Sequence, residues 1–257
     1  QITSRGIGNG ISLIIFAGIV SGIPSAIGGT VNLVNTGEMN FLVVIGILLV
    51  ILVTVGIVIY VEMGERRVPV SYSRKVVMEN QNKRIMNYIP IKVNLSGVIP
   101  PIFASAILMF PSTILQASTN PYIQAIHDFL NPNSYFFNFL TFLLVVFFAY
   151  FYASIAFNAK DISENLKRQG GFIPGIRPGE GTAGYLNEVA SRLTFSGAIY
   201  LGLISTLPWV LVKIMGVPFY FGGTSVLIVV SVALDTMRRI EAQIYMNKYQ
   251  TLSAVGL

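Results

Sequence analysis

Residues 41–67 read FLVVIGILLVILVTVGIVIYV followed by EMGERR. The first 21 of these positions carry no charge. As a helix at ~1.5 Å per residue they reach about 30 Å, the thickness of a bilayer's hydrocarbon core. Glu62, Glu65, Arg66 and Arg67 then arrive together. An apolar run of that length closed by charge predicts a membrane-spanning helix whose end meets water. Working outward, the same pattern recurs at residues 11–27, 98–115, 136–157, 195–212 and 217–234, so six spans are expected.

The connections alternate in charge. Sixteen of the 17 Lys and Arg residues fall on one side. Arg5 precedes the first span. Arg66, Arg67, Arg74, Lys75, Lys83, Arg84 and Lys92 follow the second, and Lys160, Lys167, Arg168, Arg177 and Arg192 follow the fourth. Arg238, Arg239 and Lys248 lie in the tail, and only Lys213 lies opposite. Cationic loops resist translocation, so the basic side is expected to be cytoplasmic, with both ends of the chain inside. Charged residues are 11% of the chain and mean hydropathy is +0.69, against about a quarter charged in soluble domains. The net charge of +6 follows from the positive loops and calls for no nucleic acid by itself. Cys is absent, which excludes disulfides and thiolate metal sites. The chain starts at Gln1 without a cleavable leader, which suggests a fragment of a longer protein.

The two basic connections, 62–97 and 158–194, are long, and long loops on a membrane core carry partner contacts. In the second, Asp161 and Glu164 resemble a capping box, Lys167 and Arg168 suit a helix end, and Gly170 and Gly171 stop the helix. Pro174-Gly175 and Pro178-Gly179 then bracket Ile176 and Arg177, holding them on a tight tip. Pro24, Pro100, Pro101, Pro111 and Pro208 punctuate the spans, and three of them fall in the third, which is expected to bend.

No Asp, Glu, Lys, Arg or His lies within any of the six expected spans. Ion-coupled carriers and proton relays rely on such groups, and proteolytic or nucleophilic chemistry needs an acid pair or a base, so no enzyme activity is expected. The single His127 sits beside Asp128 in a loop and reads as a solvated residue, not a metal site. Gly6-Ile7-Gly8-Asn9-Gly10 follows no strand and is not a dinucleotide loop, and no phosphate-binding P-loop occurs. No cofactor or metal is expected. The span polar residues, including Ser12, Thr54, Ser105, Asn138, Thr141, Ser154 and Ser196, are mild and can bond to their own helix. The spans suit a passive conduit or a scaffold. Half of a secondary transporter is the alternative, and it would need a charged or strongly polar site in the membrane.

Four stretches resemble one family, the SecY protein-conducting channels. They are Gly6 to Ser12 with Ile14 to Val20; Gly97-Val98-Ile99-Pro100 with Ile102-Phe103-Ala104-Ser105; Asn165-Leu166-Lys167 with Gly175-Ile176-Arg177-Pro178-Gly179; and Pro218 to Ser225. Asn158-Ala159 stands where many relatives have Asn-Pro, and Ala106 where some have Ser. The resemblance implies an all-α integral membrane fold, six helices of a ten-helix channel with inverted-repeat halves. Residues 1–40 would be the fifth span and an outside hinge loop, and 41–257 the C-terminal five-span half. The first four spans and the plug helix would lie elsewhere. The resemblance also implies a function: translocation of unfolded secretory proteins and lateral insertion of membrane proteins. It places a pore ring at Ile11, Ile15, Ile102, Ala106 and Ile228, a lateral gate at Asn94 and Ser105, and partner docking at Arg66, Arg67, Ile176 and Arg177. The implied partners are the SecE and SecG subunits, the SecA motor, the ribosome through its RNA, the preprotein with its signal sequence, membrane lipid and the N-terminal half of the same protein. The implied location is the bacterial inner membrane.

Overall fold

The computed structural model describes residues 10–37, 39–72, 87–116, 124, 129–215 and 223–254. The described elements are α1 (Gly10–Ser21), α2 (Ile23–Asn35), α3 (Phe41–Met63), β1 (Glu65–Tyr72), β2 (Asn87–Lys92), α4 (Ile99–Gln116), α5 (Tyr135–Ala156), α6 (Ala159–Arg168), β3 (Gly171–Phe172), α7 (Glu180–Met215) and α8 (Gly223–Ala254). Arg5, Arg74, Lys75, Lys83, Arg84, His127, Asp128 and the 218–222 part of the last family stretch lie outside the described residues.

The mostly helical reading holds, with corrections. Among the described residues, four helical stretches are long and apolar enough to cross a membrane: Ser12–Asn35, Phe41–Met63, Tyr135–Arg168 and Glu180–Lys213. Ile99–Leu115 is apolar but shorter. The first expected span is two helices that break at Gly22 and run on to Asn35, well past residue 27. Pro24 sits in the first turn of α2, where its missing N–H costs nothing, so it restarts a helix. In α4, Pro100 and Pro101 likewise occupy the first turn, fully buried, and only Pro111 is interior. α7 starts at Glu180, so the second half of the 158–194 loop is already helix.

The chain groups into two compact units, residues Gln1–Tyr60 with Ile204–Leu257, and residues Val61–Leu203. The boundary at residue 40 falls inside the first of these. In that unit α8 packs along α1. Its apolar side chains stay largely uncovered: Leu42 is 72% and Leu52 70% exposed. Apolar faces of that extent fit lipid, not water.

In the second unit α4 packs on α5. α4 buries Ala104 and Leu108 and α5 buries Val145 and Ala149, and Phe103 lies 5.5 Å from Tyr152 and 6.1 Å from Phe148 between ring centroids. α7 comes close to α5 at Gly202, where a Cβ would meet the Phe142 ring at 2.6 Å. Beyond the helix ends the two basic-side loops fold together. A purely helical fold does not anticipate their three-stranded antiparallel sheet, ordered β2-β1-β3. β1 pairs with β2 from Glu65 opposite Lys92 to Val70 opposite Asn87, and with β3 at Ser71 opposite Phe172. Val68 and Val70 alternate inward on β1. They join Ile91, Ala159, Leu166, Ile173 and Leu186 in one buried cluster.

α6 buries Ala159, Ser163 and Leu166 on one face of its ten residues, and Ala159 and Leu166 belong to that core. Its cap lies three residues earlier than the spacing suggested. Asn158, not Asp161, is the N-cap: its Oδ1 accepts from the N–H groups of Lys160 and Asp161, and its Nδ2 donates to Asp161 Oδ2 at 2.7 Å. Asp161 thus binds the cap residue through its side chain, and not through the backbone N–H that a capping box uses. Glu164 instead pairs with Arg168 at 3.6 Å. Lys167 and Arg168 close the helix as read.

Because both loops share one core, damage in either should be felt in the other. Leu186→Ala, at a fully buried position, should cost about 2–5 kcal/mol. The expected readout in native membranes is faster tryptic cleavage after Arg66 and Arg67, which belong to the other loop.

Candidate functional site

The sheet subdomain positions the docking candidates. Ile173 anchors the start of the tip by burial, and the Ile176 N–H donates to its carbonyl at 3.1 Å. Gly175 (φ +83°) and Gly179 (φ +95°) take left-handed conformations that allow the chain to double back. The Arg177 carbonyl accepts twice from Thr182, from its N–H at 3.1 Å and its Oγ1 at 3.1 Å. The Gly179 carbonyl accepts from Ser163 Oγ at 2.6 Å and from the Ala183 N–H at 3.0 Å. Thr182 and Ser163 are both buried, so the tip is bolted to α6 and α7 from beneath. Ile176 is half-buried against the core cluster, while Arg177 is exposed. Among the described residues no ion pair engages Arg177.

The two hairpin arginines differ. Arg67 donates to Glu65 at 2.8 Å, and its guanidinium lies 4.9 Å from the Tyr88 ring centroid. The Glu65 hydrogen bond first, and then the Tyr88 and Glu65 charges, push its pKa up from the ordinary value. Arg66 is exposed and takes no ion pair among the described residues.

The gate candidate Asn94 sits in a buried polar hub. Its Nδ2 donates to Glu62 Oε1 at 2.7 Å and to the Gly97 carbonyl at 3.2 Å, and its Oδ1 accepts from Ser96 Oγ at 3.2 Å. Ser105 is half-buried, and its hydroxyl donates to the Ile102 carbonyl at 2.9 Å, one turn back in α4. Several other span hydroxyls bond back in the same way: Thr54 to Val50, Thr141 to Phe137 and Ser154 to Phe151.

The pore candidates lie on separate elements. Ile102, half-buried, and Ala106, exposed, lie four residues apart on α4 in the second unit. Ile15, half-buried, is on α1, and Ile228, 6% exposed, is on α8, both in the first unit. Ile11 belongs to α1, but its side chain lies outside the described residues. Among the described residues no group of three or more His, Asp or Glu is placed to hold a metal ion.

Sequence reasoning missed Glu62, Ser163 and Thr182. Glu62 had a signal, as the acid that directly ends the 41–61 apolar run. Ser163 and Thr182 had none, because their partners are backbone carbonyls 16 and five residues away. Thr182→Val keeps the shape and removes the hydroxyl, which should loosen the tip by about 1 kcal/mol. A nitroxide at position 177 should then gain mobility in its spin-label spectrum.

The family model SecY matches residues 1–237. The chain is 72% identical over its whole length to the Protein translocase subunit SecY of Helicobacter pylori (strain ATCC 700392 / 26695), of which it covers 61%. It is 41% identical to the protein of that name from Escherichia coli (strain K12), with 98% of this chain and 58% of that protein aligned. The chain thus spans about three-fifths of the length of the curated relatives it matches. The fold is similar to a solved structure described as "The structure of a protein conducting channel", with TM-score 0.64, 19% identity, and 94% of this chain and 60% of that one covered. A second solved structure, concerned with the plug domain of SecY, gives TM-score 0.66 at 19% identity over 94% of this chain and 61% of that one.

Proposed function

We propose, because this chain belongs to the SecY family, that it supplies most of a membrane channel for unfolded polypeptides. In this reading it works as spans five to ten, with residues 1–40 as the fifth span and hinge and 41–257 as the C-terminal half. The N-terminal half completes the channel. The observation that carries the reading is a division of labour within the chain. The apolar helices hold no Asp, Glu, Lys, Arg or His within the expected spans, while a separately cored basic subdomain presents Arg177 on a braced tip.

A conduit for any polypeptide cannot rely on charged contacts in its wall. It needs a constriction that dewets when empty and yields when filled. Aliphatic side chains supply both properties. Ile11, Ile15, Ile102, Ala106 and Ile228 are the residues proposed to form that ring. The α4–α5 pair, with Asn94 at its entrance and Ser105 within α4, is proposed as one leaf of a lateral gate. Its opening lets an apolar signal sequence pass into lipid, which gains about 0.3–0.6 kcal/mol per central Leu, Ile or Phe.

The sheet subdomain is proposed to face the cytoplasm of a bacterial cell and to receive the SecA motor and the ribosome. Arg66, Arg67 and Arg177 are suited to the carboxylates and RNA phosphates of those partners, which a guanidinium grips as a fork. Ile176 contributes by holding the tip in place. SecE and SecG are the expected membrane partners. No bond is made or broken by the channel itself.

Replacing Ile102 or Ile228 with Asn in the complete protein should hydrate the constriction. Preproteins with defective signal sequences should then pass, and ion leak should rise. Wild-type stringency and leak in both variants would remove these residues from the ring. Arg177→Glu should leave membrane insertion intact, since one charge among five in its loop does not reverse topology. Losing a charge-assisted contact costs about 1.5–3 kcal/mol, so motor affinity should fall about tenfold or more. Motor-driven transport into vesicles is the direct measurement, and unchanged transport would contradict the docking role.

A further inference from the structure

Asn94 has no donor to spare. Its two amide hydrogens go to Glu62 Oε1 and the Gly97 carbonyl, and its oxygen accepts from Ser96. It is 5% exposed, and Ser96 is 8% exposed. The short turn that carries it is held from two further sides. The Val93 N–H donates to the Gly64 carbonyl at 3.0 Å, tying the turn to the end of α3. α7 presses on it at Gly197, where a Cβ would lie 2.7 Å from the Val93 carbonyl oxygen. Of these contacts, the one to Glu62 is the charge-assisted bond, at 2.7 Å, and it crosses 32 residues from the end of one expected span to the approach of the next.

We infer that Glu62 is a positioning residue that latches Asn94, at the entrance of the leaf, to the end of α3, so that Asn94 donates to anything across the gate only by giving up the Glu62 carboxylate or the Gly97 carbonyl. This rests on the proposed gate role of Asn94 and names what regulates it. The latch sets a threshold. While Glu62 accepts, the buried amide is satisfied and the leaf stays as it is. Without the acceptor, one buried donor is orphaned, and this state rises in free energy relative to any in which Asn94 finds water or an incoming chain. The leaf then leaves its resting arrangement more readily. A merely structural Glu62 would affect folding and abundance without changing the discrimination between signal sequences.

The test uses the complete protein in reconstituted vesicles with two preproteins, one with an intact and one with a weakened signal sequence. Glu62→Ala and the similarly long Glu62→Met should each raise transport of the weakened substrate about fivefold or more relative to the intact one. Glu62→Gln keeps an acceptor oxygen and should stay near wild type. In an Asn94→Ala background the Glu62 substitutions should add nothing. If Asn94→Ala shifts discrimination but neither Glu62→Ala nor Glu62→Met does, the latch is overturned and the gate role of Asn94 stands. If Asn94→Ala itself leaves discrimination at wild type, the gate reading fails and the latch with it. Glu62 effects that persist in full without Asn94 also overturn the latch. Abundance in the membrane and transport of the intact substrate, expected within about twofold of wild type for Glu62→Met, separate these outcomes from misfolding.

Discussion

The buried cluster of Val68, Val70, Ile91, Leu166, Ile173 and Leu186 makes the basic loops an object with a shape. Its members come from two connections that are far apart in sequence, and neither connection has enough apolar residues to bury a core alone. β1 supplies an alternating face, α6 a helical stripe, and α7 the closing Leu186. Once the cluster forms, the sheet registers, the Asn158 cap and the braced tip are consistent with one another. A basic segment whose only role was to orient the chain in the membrane would need none of this. In the proposed function that core holds the recognition surface in place.

The membrane-facing part obeys a different rule. Hydrocarbon offers no hydrogen bonds, so the backbone must close its own, and helices do that within one segment. Several polar side chains there follow suit, with Thr54, Ser105, Thr141 and Ser154 donating to their own helix, while Tyr200 Oη and Ser231 Oγ are buried without a hydrogen-bond partner. Asn138 is satisfied by the Pro132 and Ser134 carbonyls at 2.8 and 2.9 Å. Asn94 departs from this economy by reaching to another element, and it does so where the apolar helices give way to the sheet. A buried amide bonded to a carboxylate costs desolvation on both sides and is sensitive to the loss of either partner. In the proposed channel, such a bond sits where a mobile leaf would need a switchable contact.

Much of this was legible in the residues. Uninterrupted apolar runs, the asymmetry of Lys and Arg, and the absence of buried charge depend on composition and spacing alone, and the bilayer reads those directly. The Pro-Gly tip was legible for the same reason, because φ preferences are local. What was misread was local too, but competitive. Asn158 and Asp161 both suit a cap, and the buried face of α6 decided between them by setting where the helix begins. Pro24, Pro100 and Pro101 read as breaks until their position in a first turn made them starts.

The tertiary structure alone decided what depends on residues distant in sequence. Val68 and Val70 alternate, yet eight residues of strand that include Pro69 and three charges say nothing about pairing until Asn87–Lys92 and Gly171–Phe172 supply partners. Ser163 and Thr182 look like ordinary helix-surface hydroxyls until the tip brings its carbonyls to them. Glu62 looks like the charged end of a span until Asn94, 32 residues on, donates to it. The sequence by itself therefore determined which segments suit lipid and which suit water, because solvent acts on each segment separately. The contacts that give those segments a working site needed the fold, because a hydrogen bond or a packed methyl is a property of two residues, and chain order does not say which two will meet.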